Sequence, residues 1–168
     1  VMARFIVRPL VVQTVRAWYE ERHDIDLSPS YQRRSGVWSR HDKAFLVDSI
    51  INGYDIPKLY FAEFTMIASS LNQKKKQYAV IDGKQRLIAL IGFLENAFGL
   101  DAGFVFLEDP TLKLGGLTYT DLVSNHPKIA SRVDNYILPI MSVVTDDESR
   151  INDMFVRLNR GRALSGPE

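Results

Sequence analysis

The residues best equipped for chemistry are the consecutive positions Asp82, Gly83, Lys84, Gln85 and Arg86. They follow a short β-rich run, Gln77 to Ile81, which Asp82-Gly83 breaks. From Lys84 the pattern turns helical. Leu87, Leu90, Ile91, Leu94 and Phe98 share one face, Ile88 and Phe93 widen it, and Gly99 ends it. The motif therefore stands at a strand-to-helix step. A helix N-terminus leaves its first N–H groups unpaired and carries about half a positive charge, so an anion binds there readily. Gly83 removes the side chain that would hold a phosphate off the backbone. Lys84 and Arg86 add cationic donors, and arginine can grip two phosphate oxygens at once. Gln85 can orient a water, and Asp82 can bind a metal ion or a ribose hydroxyl. The plainer reading is a tight turn with Asp82 as helix cap and Lys84 and Arg86 solvated. The residue types alone leave both open. P-loop spacing is missing.

Two further clusters bear on the same chemistry. In Tyr31-Gln32-Arg33-Arg34 to Trp38, arginines and aromatics share a stretch with neither helical nor strand period, which reads as an ordered loop. Such residues stack a base and hold phosphate. Alternatively, Tyr31 and Trp38 anchor the loop while the arginines pair with acids. In Arg157-Leu158-Asn159-Arg160-Gly161, the polar groups either cap a helix end or send Arg157 and Asn159 into the pocket of the first motif. The run Lys74-Lys75-Lys76 reads as a solvated loop. His23, His41 and His126 lack metal-ligand spacing, and no nuclease centre is visible.

These clusters need elements to position them. Leu10 to His23 predicts a helix, with Val12, Val15, Trp18 and Tyr19 at helical spacing and Pro9 in the first turn. Ile25 to Leu27 is a short extended piece. Ser39 caps a helix from Arg40 to about Asn52, whose apolar face is Phe45, Leu46, Ile50 and Ile51, with Val47 beside them. Gly53 ends it, and Pro57 precedes a strand from Lys58 to Phe64. Phe104 to Phe106 predicts another strand, and short helices follow near Thr118 and Pro127. Tyr136 to Val144 reads as a buried strand that Pro139 interrupts, hence at an edge or bulge. Asp146-Asp147-Glu148 opens a last helix with face Ile151, Met154, Phe155 and Leu158, closed by Asn159 to Arg162. Mixed strands and helices without strict βαβ alternation point to a compact α/β or α+β fold.

Composition narrows the classes. The 168 residues suit one domain, 1–168, and the end at Ser165-Gly166-Pro167-Glu168 reads as a truncation of a longer protein. With 46% apolar residues the chain can bury a core without disulfides. No cysteine is present, which excludes a disulfide scaffold, cysteine-ligated zinc and thiol chemistry. A net charge of +1 does not announce a general nucleic-acid binder. No apolar run approaches the roughly 20 residues of a membrane helix, and the N-terminus lacks a signal-peptide core. A cytoplasmic location is expected.

Three segments in order carry a resemblance. They are Pro29-x-Tyr31-Gln32-Arg33-x-x-x-Val37-Trp38, then Ile81-Asp82-Gly83-Lys84-Gln85-Arg86-Leu87, then Phe155-Val156-Arg157-Leu158-Asn159-Arg160-Gly161-x-x-Leu164. Together, and with Ile50 to Pro57 between the first two, they resemble the GmrSD-type N-terminal domain family from about residue 25 to the chain end. The resemblance implies a ParB/sulfiredoxin-like nucleotide-binding fold of α+β class, a small mixed sheet flanked by helices. It implies an NTP-binding, NTP-hydrolysing regulatory domain, often GTP-preferring, of a phage-defence or type IV restriction-like system that controls an attached or partner HNH-type nuclease acting on DNA. Its implied nucleotide-binding residues are Gln32, Arg33, Trp38, Asp82, Gly83, Lys84, Gln85, Arg86, Arg157 and Asn159. Asp82, Gln85 and Arg86 would be catalytic, and Asp82 would hold the Mg²⁺ that accompanies the NTP. Where the family carries a first glutamine after the glycine, this chain has Lys84, which keeps the phosphate logic and puts in doubt a water-positioning role there. Sulfiredoxin chemistry is excluded, because its cysteine has no counterpart. The alternative is a ParB-like DNA-binding module without nucleotide turnover, using Arg33, Arg34, Arg160, Arg162 and the lysine run. A third is a structural partner domain with vestigial motifs.

Overall fold

The computed structural model describes residues 4–164, with side chains as far as Gly161. It opens with strand β1 (Phe5–Pro9), then helix α1 (Val15–Glu20), a 3-10 turn (Arg22–Asp24) and the two-residue strand β2 (Ile25–Asp26). Helix α2 (Arg40–Ile51) leads to β3 (Leu59–Glu63) and, after the polar loop, to β4 (Tyr78–Asp82). Helices α3 (Lys84–Leu94), α4 (Tyr119–Asn125) and α5 (Pro127–Asp134) precede β5 (Ile140–Thr145) and α6 (Glu148–Leu164).

The class is α+β, a five-stranded mixed sheet flanked by helices, with strand order β1-β5-β3-β4-β2. The β3–β5 and β2–β4 pairs are parallel, and the β1–β5 and β3–β4 pairs antiparallel. Period-two side chains sort the central strands into two cores. Leu59 and Phe61 of β3 and Tyr78 and Val80 of β4 join the larger core, built with the helices α1 to α5. Ala62, Ala79 and Ile81 face the other way, where Ile151 and Phe155 of α6 and Tyr31 of the 31–38 loop cover them. Trp18, 1% exposed, ties α1 to the sheet by edge-on contacts with Phe61 and Tyr78, ring centroids 5.4 and 5.3 Å apart.

Local chemistry sets the helix starts. Ser39 and Thr118 each form a capping box, with Asp42 and Asp121, at the heads of α2 and α4. Among the described residues no helix is long and apolar enough to cross a membrane.

The structure corrects several expectations. The helix predicted over Leu10 to His23 is only α1, because Thr14 Oγ1 caps it by accepting from Ala17 N at 3.1 Å. Leu10 N is instead bonded to Ile140 O at 2.9 Å, and Pro9 ends a strand rather than starting a helix. Phe45 leaves the α2 core face and is 65% exposed. Phe104 and Phe106 are buried and Val105 is exposed, so the alternation is real, but no strand forms. The segment is held by Asn52, whose amide bonds Val105 O at 3.1 Å and Leu107 N at 2.9 Å. Pro139 lies before β5, which is an interior strand between β1 and β3 and not an edge. Asn159-Arg160-Gly161 does not close the last helix, since α6 runs on to Leu164.

Candidate functional site

The motif sits where the sequence placed it. Asp82 is the last residue of β4, Gly83 is the N-cap of α3, and Lys84, Gln85 and Arg86 form its first turn. Gly83 has φ +105°, a left-handed conformation that side chains strain to adopt, and a Cβ there would stand 2.6 Å from Leu59 Cγ. Glycine is required here by backbone and packing before any ligand is considered. Unlike α2 and α4, α3 has no side-chain cap. Asp82 is therefore not the helix cap that the plainer reading expected.

The 31–38 loop wraps this turn through backbone-directed bonds. Arg33 N donates to Ile81 O at 2.9 Å. Gln32 Nε2 donates to Leu27 O and Val80 O at 2.8 and 3.0 Å, so its amide acts as a strap across β4. Trp38 N donates to Gln85 Oε1 at 3.2 Å, which leaves Gln85 its amide nitrogen for other partners. Tyr31 is buried and its hydroxyl donates to Leu71 O at 2.6 Å. Burial pushes its phenol pKa up, with the nearby Asp26 and Glu148 charges adding to the effect. Tyr31 is thus a core anchor of the loop, while Trp38 is half-buried against the larger core.

Arg33 gathers the distant segments. Its Nη1 lies 3.3 Å from Asp82 Oδ2, its Nη2 donates to Asn159 Oδ1 at 2.7 Å, and its guanidinium lies 5.9 Å from the Phe155 ring centre. Loop, β4 end and α6 so meet at one guanidinium. Lys84 Nζ donates to Ser28 Oγ at 2.7 Å, and Arg86 Nη2 donates to Lys58 O at 3.0 Å. Arg157 does not join them. It pairs with Asp153 at 3.1 Å on α6, beside a separate hollow edged by Phe5 and Arg150. Arg162 lies outside the residues whose side chains are described.

Sequence reasoning missed a cleft of about 610 Å³ beside the motif. Its wall includes Trp38 and Arg86, and the remainder comes from α2 and the 55–57 segment, with Phe45, Ser49 and Asp55 among the lining. The available signal was α2 itself, where Phe45, Leu46, Val47, Ile50 and Ile51 supply more apolar positions than one stripe needs.

A profile of the GmrSD restriction endonuclease N-terminal domain matches residues 15–168. The chain belongs to this family. No curated protein and no solved structure matches it. In this GmrSD N-terminal domain, the three motifs that carried the resemblance are the loop, the β4–α3 turn and α6. Arg33 of the first motif bonds both Asp82 of the middle one and Asn159 of the last. Among the described residues no group of three or more His, Asp or Glu stands ready to hold a metal ion.

Proposed function

We propose that this GmrSD N-terminal domain binds a nucleoside triphosphate and hydrolyses it, acting as a regulatory switch for an attached or partner nuclease on DNA. The observation that carries the reading is the convergence of Arg33, Asp82 and Asn159 at a helix start without a side-chain cap. The first-turn amides, Lys84 and Arg86 supply donors and charge for phosphate oxygens at the positive end of α3. Preorganised cations of this kind are what phosphoryl transfer mainly requires. Gln85, already oriented by Trp38, would turn its amide nitrogen toward the attacking water.

Mg²⁺ would accompany the triphosphate. That ion usually takes one or two carboxylates together with phosphate oxygens and waters, so the lone carboxylate of Asp82 fits the requirement. When bound, it would neutralise charge on the phosphates. Arg33 pairs with the Asp82 carboxylate at 3.3 Å and holds it in place. The ParB/sulfiredoxin-like relationship and a cytoplasmic location belong to this reading and rest on the family resemblance. DNA binding as the main task has less support, because Lys74 pairs with Asp26 at 3.3 Å, Lys76 Nζ donates to His23 O at 2.5 Å, and Arg33 is held inward.

The test is phosphate release from each common nucleoside triphosphate with Mg²⁺. Turnover that falls by about a hundredfold in Gln85→Ala and Asp82→Asn supports the proposal, since removing one preorganised group costs on that order. Turnover that both variants retain would refute the assigned roles.

A further inference from the structure

We infer that the cleft between α2 and the 55–57 segment receives the nucleoside half of the triphosphate, with Phe45 and Trp38 as walls for the base. The inference rests on the triphosphate reading above and adds where the rest of the ligand goes. Arg86 links the regions, since it belongs to the first turn of α3 and to the wall of the cleft. Trp38 does the same, with its backbone N–H on Gln85 and its side chain on the cleft. A ligand with phosphates on the α3 turn would extend past Arg86 into this space. Its volume of about 610 Å³ lies in the usual range of small-ligand sites, about 300–1,000 Å³.

The polarity of the wall decides which half fits. Arg86 is the cationic side chain that lines the cleft, and Asp42 and Asp55 line it too. Carboxylates repel phosphate, so the anionic part belongs at the Arg86 end and a neutral part in the remainder. Asp42 is spent in the α2 capping box. Asp55 is exposed and makes no side-chain hydrogen bond or ion pair among the described residues, and Ser49, whose proton goes to Phe45 O at 3.1 Å, keeps acceptor lone pairs. These acceptors suit the N–H and O–H groups of a base and ribose. Phe45 explains itself in the same way. An apolar ring 65% exposed on a helix whose other apolar residues are buried has a use at the rim of an aromatic slot.

The experiment compares Mg²⁺–nucleoside triphosphates with Mg²⁺–tripolyphosphate on the 168-residue chain, read by calorimetry and by Trp38 emission, with Trp38→Phe to assign the signal. The expected result is that nucleotides bind at least about tenfold more tightly than tripolyphosphate, the size of one base–aromatic stack, and quench Trp38. Phe45→Ala, a change at an exposed position, should erase most of that margin and leave tripolyphosphate binding as it was. Equal affinity for both ligands, or equal weakening of both by Phe45→Ala, overturns the inference and leaves the triphosphate site standing. Failure of both ligands to bind overturns both readings.

Discussion

Arg33 and Asp82 meet at 3.3 Å, Nη1 to Oδ2, and the other arm of the same guanidinium is bonded to Asn159 at 2.7 Å. One side chain thereby couples the strand end that opens the candidate site to the last helix. Its fixed fork can serve both partners at once, which a lysine ammonium on a flexible stem does less well.

Arg33→Ala should lower stability by about 1–3 kcal/mol, the range for a partly buried hydrogen bond to a charged group, and Arg33→Lys should recover only part of it. Urea unfolding of the three proteins checks this. Equal midpoints would mean that the fork contributes nothing.

Gly83→Ala should be among the most damaging small changes. The new Cβ meets Leu59 Cγ at 2.6 Å and the backbone must hold φ +105°. A loss of about 2 kcal/mol or more is expected from strain and overlap together. Adding Leu59→Ala relieves the overlap but not the strain at φ, and itself empties a fully buried leucine position, so Leu59→Ala alone is the reference for the double variant. Thermal melts of the single and double variants separate the two contributions.

The helix caps predict an acid-side dependence. Bonds from the Ser39 backbone N–H and then its hydroxyl hold the Asp42 carboxyl below its ordinary range, and Thr118 does the same for Asp121. A folded-state pKa below the unfolded one gives stability that is complete above the ordinary value of about 3.9 and is lost as pH falls through the folded value. Asp42→Asn should therefore be less stable than the parent at neutral pH, with the gap closing in strong acid. Denaturant midpoints from pH 7 downward test the sign. Ser39→Ala should cost about 1 kcal/mol at neutral pH.

Arg157→Ala should change nucleotide affinity by less than about 1 kcal/mol, because its partner is the exposed Asp153 on its own helix. Asn159→Ala should have the larger effect, since it removes the tie between α6 and Arg33. Parallel titrations of the two variants decide which residue of the motif faces the site.

Much of this was legible in the chain. The Ser39 cap, the Pro57 boundary, the β4-to-α3 step and the buried face of α6 follow from local signals, because capping and periodicity are written in neighbouring residues. What failed was tertiary. Phe104 and Phe106 alternate as a strand does, yet the backbone groups of their neighbours Val105 and Leu107 go to Asn52 rather than to a ladder. Strand β1 escaped notice because it is short, mostly exposed and ends on Pro9, and its pairing is with the distant β5. Phe45 was read as core because apolar type alone does not distinguish a core face from a cleft wall. The loop and the motif were found by residue type. That Gln32 would strap β4 and that Arg33 would join Asp82 to Asn159 depends on contacts between segments far apart in sequence.

The central claim is tested most directly by titrating Mg²⁺–nucleoside triphosphate into the parent chain, Arg33→Ala and Arg86→Ala, with far-UV circular dichroism to confirm that each variant is folded. The account predicts saturable binding to the parent, about tenfold or greater loss in Arg86→Ala, as one charge-assisted contact implies, and a loss in Arg33→Ala through the Asp82 and Asn159 side chains it positions. Unchanged affinity in both folded variants, or a parent chain that binds no nucleotide, would contradict it.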